Sequence, residues 1–154
     1  MGRRSILLLA CVAGTIAMTG CGGGEPVEPL GPEVDLAPNL SGVWELTAFS
    51  SQLVTAGETL EPPLISGTFI LRQDPPTGSE AMGTFEMSIS VPDGFGGTTA
   101  FDDSGTFTVR SDGTWEQAGN LNQAKGTYTL EGRIFSVIVT EPALAVSTTV
   151  WQRT

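Results

Sequence analysis

From Leu40 onward the chain repeats one short pattern: a glycine and a spacer, then an aromatic and, two residues later, an aliphatic. It occurs at Gly42-Val43-Trp44-Glu45-Leu46, Gly67-Thr68-Phe69-Ile70-Leu71, Gly83-Thr84-Phe85-Glu86-Met87, Gly105-Thr106-Phe107-Thr108-Val109 and Gly126-Thr127-Tyr128-Thr129-Leu130, with a truncated copy at Gly113-Thr114-Trp115-Glu116. Residues two apart share a face of an extended chain, so each copy predicts a strand that turns both large side chains to one side of a sheet. The copies are irregularly spaced, which excludes a solenoid of fixed period. Each glycine suits either a turn with positive φ or the close approach of a neighbouring strand. Turn chemistry separates the copies, at Asp74-Pro75-Pro76-Thr77-Gly78, Pro92 to Gly97, Asp102-Asp103-Ser104-Gly105, Ser111-Asp112-Gly113 and Glu131-Gly132-Arg133. Two more strands follow, Ile134 to Thr140 and Ala145 to Gln152. The first has Phe135, Val137 and Val139 on one face and Ile134 and Ile138 on the other, the pattern of a strand covered on both sides or lying against a neighbour outside a barrel wall. Only Ser50 to Ala56 hints at helical periodicity.

Eight or nine short antiparallel strands point to a small barrel or a sandwich. Closure favours the barrel, because it removes exposed strand edges and encloses an interior wide enough for side chains or one small ligand. An immunoglobulin-type sandwich carries its core tryptophan on a middle strand, whereas Trp44 lies on the first strand here and Trp151 on the last. The expected fold class is therefore all-β, a small antiparallel up-and-down barrel of about eight strands, with a sandwich or a partly open barrel as alternatives. If the ends meet, the two indoles become neighbours.

Before Leu40 the composition changes. Arg3 and Arg4 precede an apolar stretch from Ile6 to Ala17, then Met18-Thr19-Gly20 leads into Cys21 and Gly22-Gly23-Gly24. The stretch is too short for a bilayer-spanning helix and has the length of a signal-peptide core. The arrangement resembles bacterial lipoprotein signals, which implies cleavage before Cys21, acylation of its thiol with palmitate-type chains, and firm anchoring by more than one chain. With Gly22 after the cysteine, the resemblance also implies sorting to the outer membrane of the cell envelope. Arg3-Arg4-Ser5-Ile6-Leu7 loosely resembles a twin-arginine export signal. The expected organisation is a signal peptide over 1–20, an acylated cysteine and Gly/Pro/Glu linker over 21–39, and a barrel domain over 40–154. Proline density and the like charges of Glu25, Glu28, Glu33 and Asp35 make the linker a semi-rigid, extended stalk.

The chain carries a formal net charge of −10. Such acidity argues against nucleic acid and anionic head groups as partners. It has no histidine, and its two cysteines, Cys11 and Cys21, both precede the domain. That removes the usual general base near neutral pH, the thiol nucleophile, the disulfide and the favoured zinc, copper and iron ligands, so neither an enzyme nor a cofactor is expected. Asp102 and Asp103 would face opposite sides in a strand and could converge only in a turn. Asp93, Asp102, Asp103 and Asp112 lack the EF-hand spacing.

In the first strand, Leu40-Ser41-Gly42-Val43-Trp44-Glu45-Leu46, Gly42-Val43-Trp44 resembles the G-x-W signature of lipocalins, and the strand together with Gly126-Thr127-Tyr128-Thr129-Leu130 and Thr149-Val150-Trp151-Gln152-Arg153 resembles bacterial lipocalin-like domains. This resemblance implies a structural role for Trp44, with Arg153 stacked over it at the closed end of the barrel. The expected function is a membrane-anchored, non-catalytic barrel that binds a small apolar or amphipathic ligand. Candidate lining residues are Phe69, Leu71, Phe85, Met87, Ile89, Phe107, Val109, Tyr128 and Leu130, which a filled core would need equally. The rival class is an envelope protein-interaction or inhibitor module with a filled core, binding through its loops, where Phe95 and Phe101 are the candidate anchors.

Overall fold

The computed structural model describes residues 35–154. The expected signal peptide, Cys21 and most of the expected linker lie outside these residues. Strands β1 (Gly42–Ser51), β2 (Thr59–Leu60), β3 (Ser66–Gln73), β4 (Glu80–Pro92), β5 (Thr98–Arg110), β6 (Thr114–Gly119), β7 (Gln123–Glu131), β8 (Ile134–Glu141) and β9 (Ser147–Arg153) form one antiparallel sheet. Neighbours in sequence pair along it, except that β3 pairs with β1 and not with β2, and β1 also pairs with β9, so β1 and β3 to β9 close an eight-stranded up-and-down barrel. No α-helix occurs among the described residues, and a 3₁₀ turn at Ala143–Ala145 follows Pro142.

Every aromatic–aliphatic pair of the repeated pattern turns inward. Trp44 and Leu46, Phe69 and Leu71, and Phe107 and Val109 are all buried, and Met87 and Leu130 pack partly buried beside Phe85 and Tyr128. Trp44 lies opposite Arg153 and Leu46 opposite Trp151, so the two indoles sit on paired strands one inward position apart. The glycines of the pattern mostly serve close approach. A Cβ on Gly105 would lie 2.0 Å from the Ala118 carbonyl oxygen, and one on Gly126 would lie 1.8 Å from that of Ile138.

The wall departs from the expected pattern in five places. Asp102 to Gly105 is not a turn: it lies inside β5, in unbroken register with Ser88 to Phe85 of β4. The hairpin turn falls instead at Asn120 to Asn122, between β6 and β7. Ser50 to Ala56 is not helical; β1 runs to Ser51 and only a single turn follows, with the Thr55 amide donating to the Ser51 carbonyl. The outer face of β8 is uncovered, with Ile134 and Ile138 exposed. The packed domain also begins before Leu40, since Ala37 is buried and its amide donates to Gly78.

β2 and β3 lie along the same side of β1 as one interrupted strand. Glu45 pairs with Thr68 and Phe49 with Leu60, so four steps along β1 correspond to eight along its partner. The excess loops out around Pro62 and Pro63, which have no N–H to give to the ladder.

Candidate functional site

The two ends of the barrel differ. At one end the segment before β1 folds across the opening. Leu40 is fully buried, its amide donates to Gln73 Oε1 at 2.9 Å, and Gln73 Nε2 donates to the Pro38 carbonyl at 2.9 Å. Trp44 Nε1 donates to the Leu40 carbonyl at 3.0 Å, and the Arg153 guanidinium lies 4.4 Å above the indole. That stacking has the geometry of a cation–π pair and lies at this end of the barrel.

Above this plug an aromatic cluster fills half of the barrel. Phe135, fully buried, meets Trp44, Phe69, Trp115 and Tyr128 at ring separations of 5.3, 6.3, 5.8 and 6.2 Å. Phe107 stacks on Trp115 at 5.3 Å, within 8° of parallel. The Tyr128 hydroxyl donates to the Arg110 carbonyl at 2.7 Å. Burial, with the Asp112 charge beside it, raises the ionisation of this phenol above its ordinary range. On the outer wall Arg110 donates to both Glu80 and Glu116 at 2.9 Å, and its hydrogen bond holds the Glu116 carboxyl below the usual carboxylate range.

At the opposite end the packing stops short of the rim and leaves a cavity of about 180 Å³, open to solvent. Phe69 and Val137 border it from the packed half, and Phe49, Ile89 and Val139 are among its walls. Above them stand Phe101, Leu121 and Leu144, all exposed. The β4–β5 hairpin continues beyond the mouth to a tip where Asp93 Oδ1 accepts from the Phe95 and Gly97 amides at 2.8 and 3.0 Å. Phe95 at that tip is 97% exposed.

One acidic side chain lines the cavity. Asp103 is only 7% exposed and faces inward, whereas Asp102 faces the exterior, so the adjacent pair does not converge. Asp103 Oδ1 accepts from the Leu121 and Ser104 amides at 3.0 and 2.9 Å, tying the β6–β7 turn to the barrel wall. Its other oxygen occupies the place of a side chain at Gly119, where a Cβ would lie 2.0 Å from Oδ2. Asp93 and Asp112 cap their own turns elsewhere, and no group of three His, Cys, Asp or Glu side chains able to hold a metal ion occurs among the described residues.

Of the nine lining residues proposed from the sequence, the cavity touches Phe69, Met87 and Ile89. Leu71, Phe85, Phe107, Val109, Tyr128 and Leu130 belong to the packed half, because the aromatics there are large enough to meet across the interior. Phe101 stands at the mouth, and Phe95 lies clear of it. Sequence reasoning missed Asp103 as an inward residue, although it shares parity with Phe107 and Val109 on β5. Extending the two-residue period back through Gly105 would have placed it inside. Among known proteins, no family model, no curated protein and no solved structure matches this chain.

Proposed function

We propose that this chain is an outer-membrane lipoprotein, anchored through acyl chains on Cys21, whose lipocalin-like barrel binds a small amphipathic molecule without transforming it. The observation that carries the reading is the half-filled interior: an aromatic plug below, an open apolar cavity above. A cavity of about 180 Å³ is of the size that accepts a single aromatic ring or a short branched chain, and below the range of sites for drug-sized ligands. The ligand is therefore compact, with any polar part directed to the mouth. The non-catalytic part of the proposal rests on composition: the chain has no histidine, and both cysteines precede the domain.

Isothermal titration of the purified chain with 2-phenylethanol and with indole tests the binding function. Saturable binding is expected, and Ala124→Phe, which projects a ring into the cavity from a buried wall position, abolishes it. Absence of binding to the unaltered protein, or full binding to the filled variant, refutes the reading. Anchoring is tested separately by fractionating cells that produce the chain with Cys21→Ser, which is expected to leave the membrane fraction.

A second reading is favoured by the rim. Leu53, Leu64, Phe95, Leu121 and Leu144 are all more than half exposed, and all lie on loops or turns at the open end. A ring of apolar side chains suits contact with another envelope protein. Co-purification of a partner that Phe95→Ala releases supports this role.

A further inference from the structure

We infer that the ligand carries a positive charge: the cavity takes a small organic ammonium ion, its apolar body against the aromatic floor and its ammonium paired with the Asp103 carboxylate. This rests on the reading of the cavity as a ligand site and names the ligand's class.

A buried carboxylate requires compensation, from hydrogen bonds or from an opposite charge. Asp103 has half of it. Two backbone amides donate to Oδ1, while Oδ2 accepts no hydrogen bond among the described residues and keeps contact with the open cavity. Among the described residues no cationic side chain pairs with it. Arg72 pairs with Glu86, Arg110 with Glu80 and Glu116, and Lys125 with Glu116, all on the outer wall. At the closed end the Arg133 guanidinium donates to the Arg153 backbone carbonyl, and the Arg153 guanidinium donates to the Asn39 carbonyl and lies over Trp44. None of these five cationic side chains lines the cavity.

The rest of the lining selects an organic cation over a metal ion. Calcium takes six to eight oxygen ligands. Here Gln117 Oε1 already accepts from Trp115 Nε1 at 3.0 Å, and Thr149 Oγ1 from Trp151 Nε1 at 2.8 Å. The rest of the lining is mainly apolar, and Phe49, Phe69 and Phe101 are among it, aromatic side chains of the kind that attract a cation or pack on an aromatic body. Gly119 completes the arrangement by leaving room for the carboxylate.

The test compares 2-phenylethylammonium, 2-phenylethanol and 3-phenylpropanoate by calorimetric titration of the full chain. A charge-assisted hydrogen bond is stronger than a neutral one, so the ammonium is expected to bind at least about tenfold tighter than the alcohol, and the carboxylate not at all. Asp103→Asn retains an oxygen for the Leu121 and Ser104 amides. It is expected to keep the alcohol's affinity and erase the ammonium's advantage, while Asp102→Asn, the same charge change on the outer face, leaves the advantage intact. Equal affinity of the unaltered protein for ammonium and alcohol overturns the charge inference and leaves the cavity reading standing. An ammonium preference that survives in Asp103→Asn also overturns it. Failure of all three probes to bind removes the ligand cavity and the inference together.

Discussion

Phe69 marks the boundary between plug and cavity, and Phe69→Ala tests both. The ring is 2% exposed and meets Trp151, Phe85, Trp115 and Phe135 at 5.0, 5.8, 6.0 and 6.3 Å. Truncating a buried phenylalanine to alanine costs about 3–5 kcal/mol, from lost transfer free energy and the void left behind. The lower end applies, because part of the ring already borders an open cavity and forfeits fewer contacts when removed. With a urea slope of roughly 1.5 kcal/mol/M, about 3 kcal/mol lowers the unfolding midpoint by about 2 M. The measurement is equilibrium urea unfolding followed by tryptophan fluorescence, since Trp115 and Trp151 lie against the altered site. Phe69→Leu, which conserves more volume, is expected to cost less than about 1.5 kcal/mol. The enlarged cavity of Phe69→Ala should also accept indole, and ligand at 100 times its dissociation constant restores about 2.7 kcal/mol. A loss below about 1 kcal/mol for Phe69→Ala would refute a close-packed aromatic plug, since truncation in such a plug costs several times more.

Trp44→Phe removes the donor to the buried Leu40 carbonyl and weakens the stack with Arg153, so a loss of about 1–3 kcal/mol is expected in the same urea assay. Gly126→Ala drives a Cβ into the Ile138 carbonyl of the adjacent strand; an overpacking cost of about 1–3 kcal/mol is expected, and full stability would contradict the close approach of β7 and β8. The chain's single tyrosine, Tyr128, provides a pH test. Its folded-state ionisation is raised by burial, so its contribution to stability is complete below the unfolded value of about 10 and is lost as pH rises through the higher folded value. Alkaline difference spectroscopy should place the folded transition above that of the urea-unfolded chain, and coincident transitions would refute the burial.

The repeated glycine–aromatic–aliphatic pattern determined the strands, their inward faces and the all-β class, because alternation in an extended chain depends only on neighbours along it. Tryptophans on the first and last strands argued against a sandwich, and the family resemblance carried by the G-x-W start and the late arginine implied the Arg153 stack on Trp44. Tertiary structure decided what local pattern could not. Asp102-Asp103-Ser104-Gly105 has the composition of a turn, yet pairing with β4 and the approach of β6 hold it in a strand and turn Asp103 inward. Ala37 and Leu40 became part of the core because the lower barrel mouth needs a cover, a demand that exists only once the strands have closed. The division of one apolar face into plug and cavity likewise depends on where large rings meet across the interior. Phe69 and Phe107 obey the same rule along the chain and both are buried among rings, but only Phe69 of the two also borders the cavity. A strand's sequence specifies which side chains face inward; the distance to the opposite wall specifies whether they fill the space.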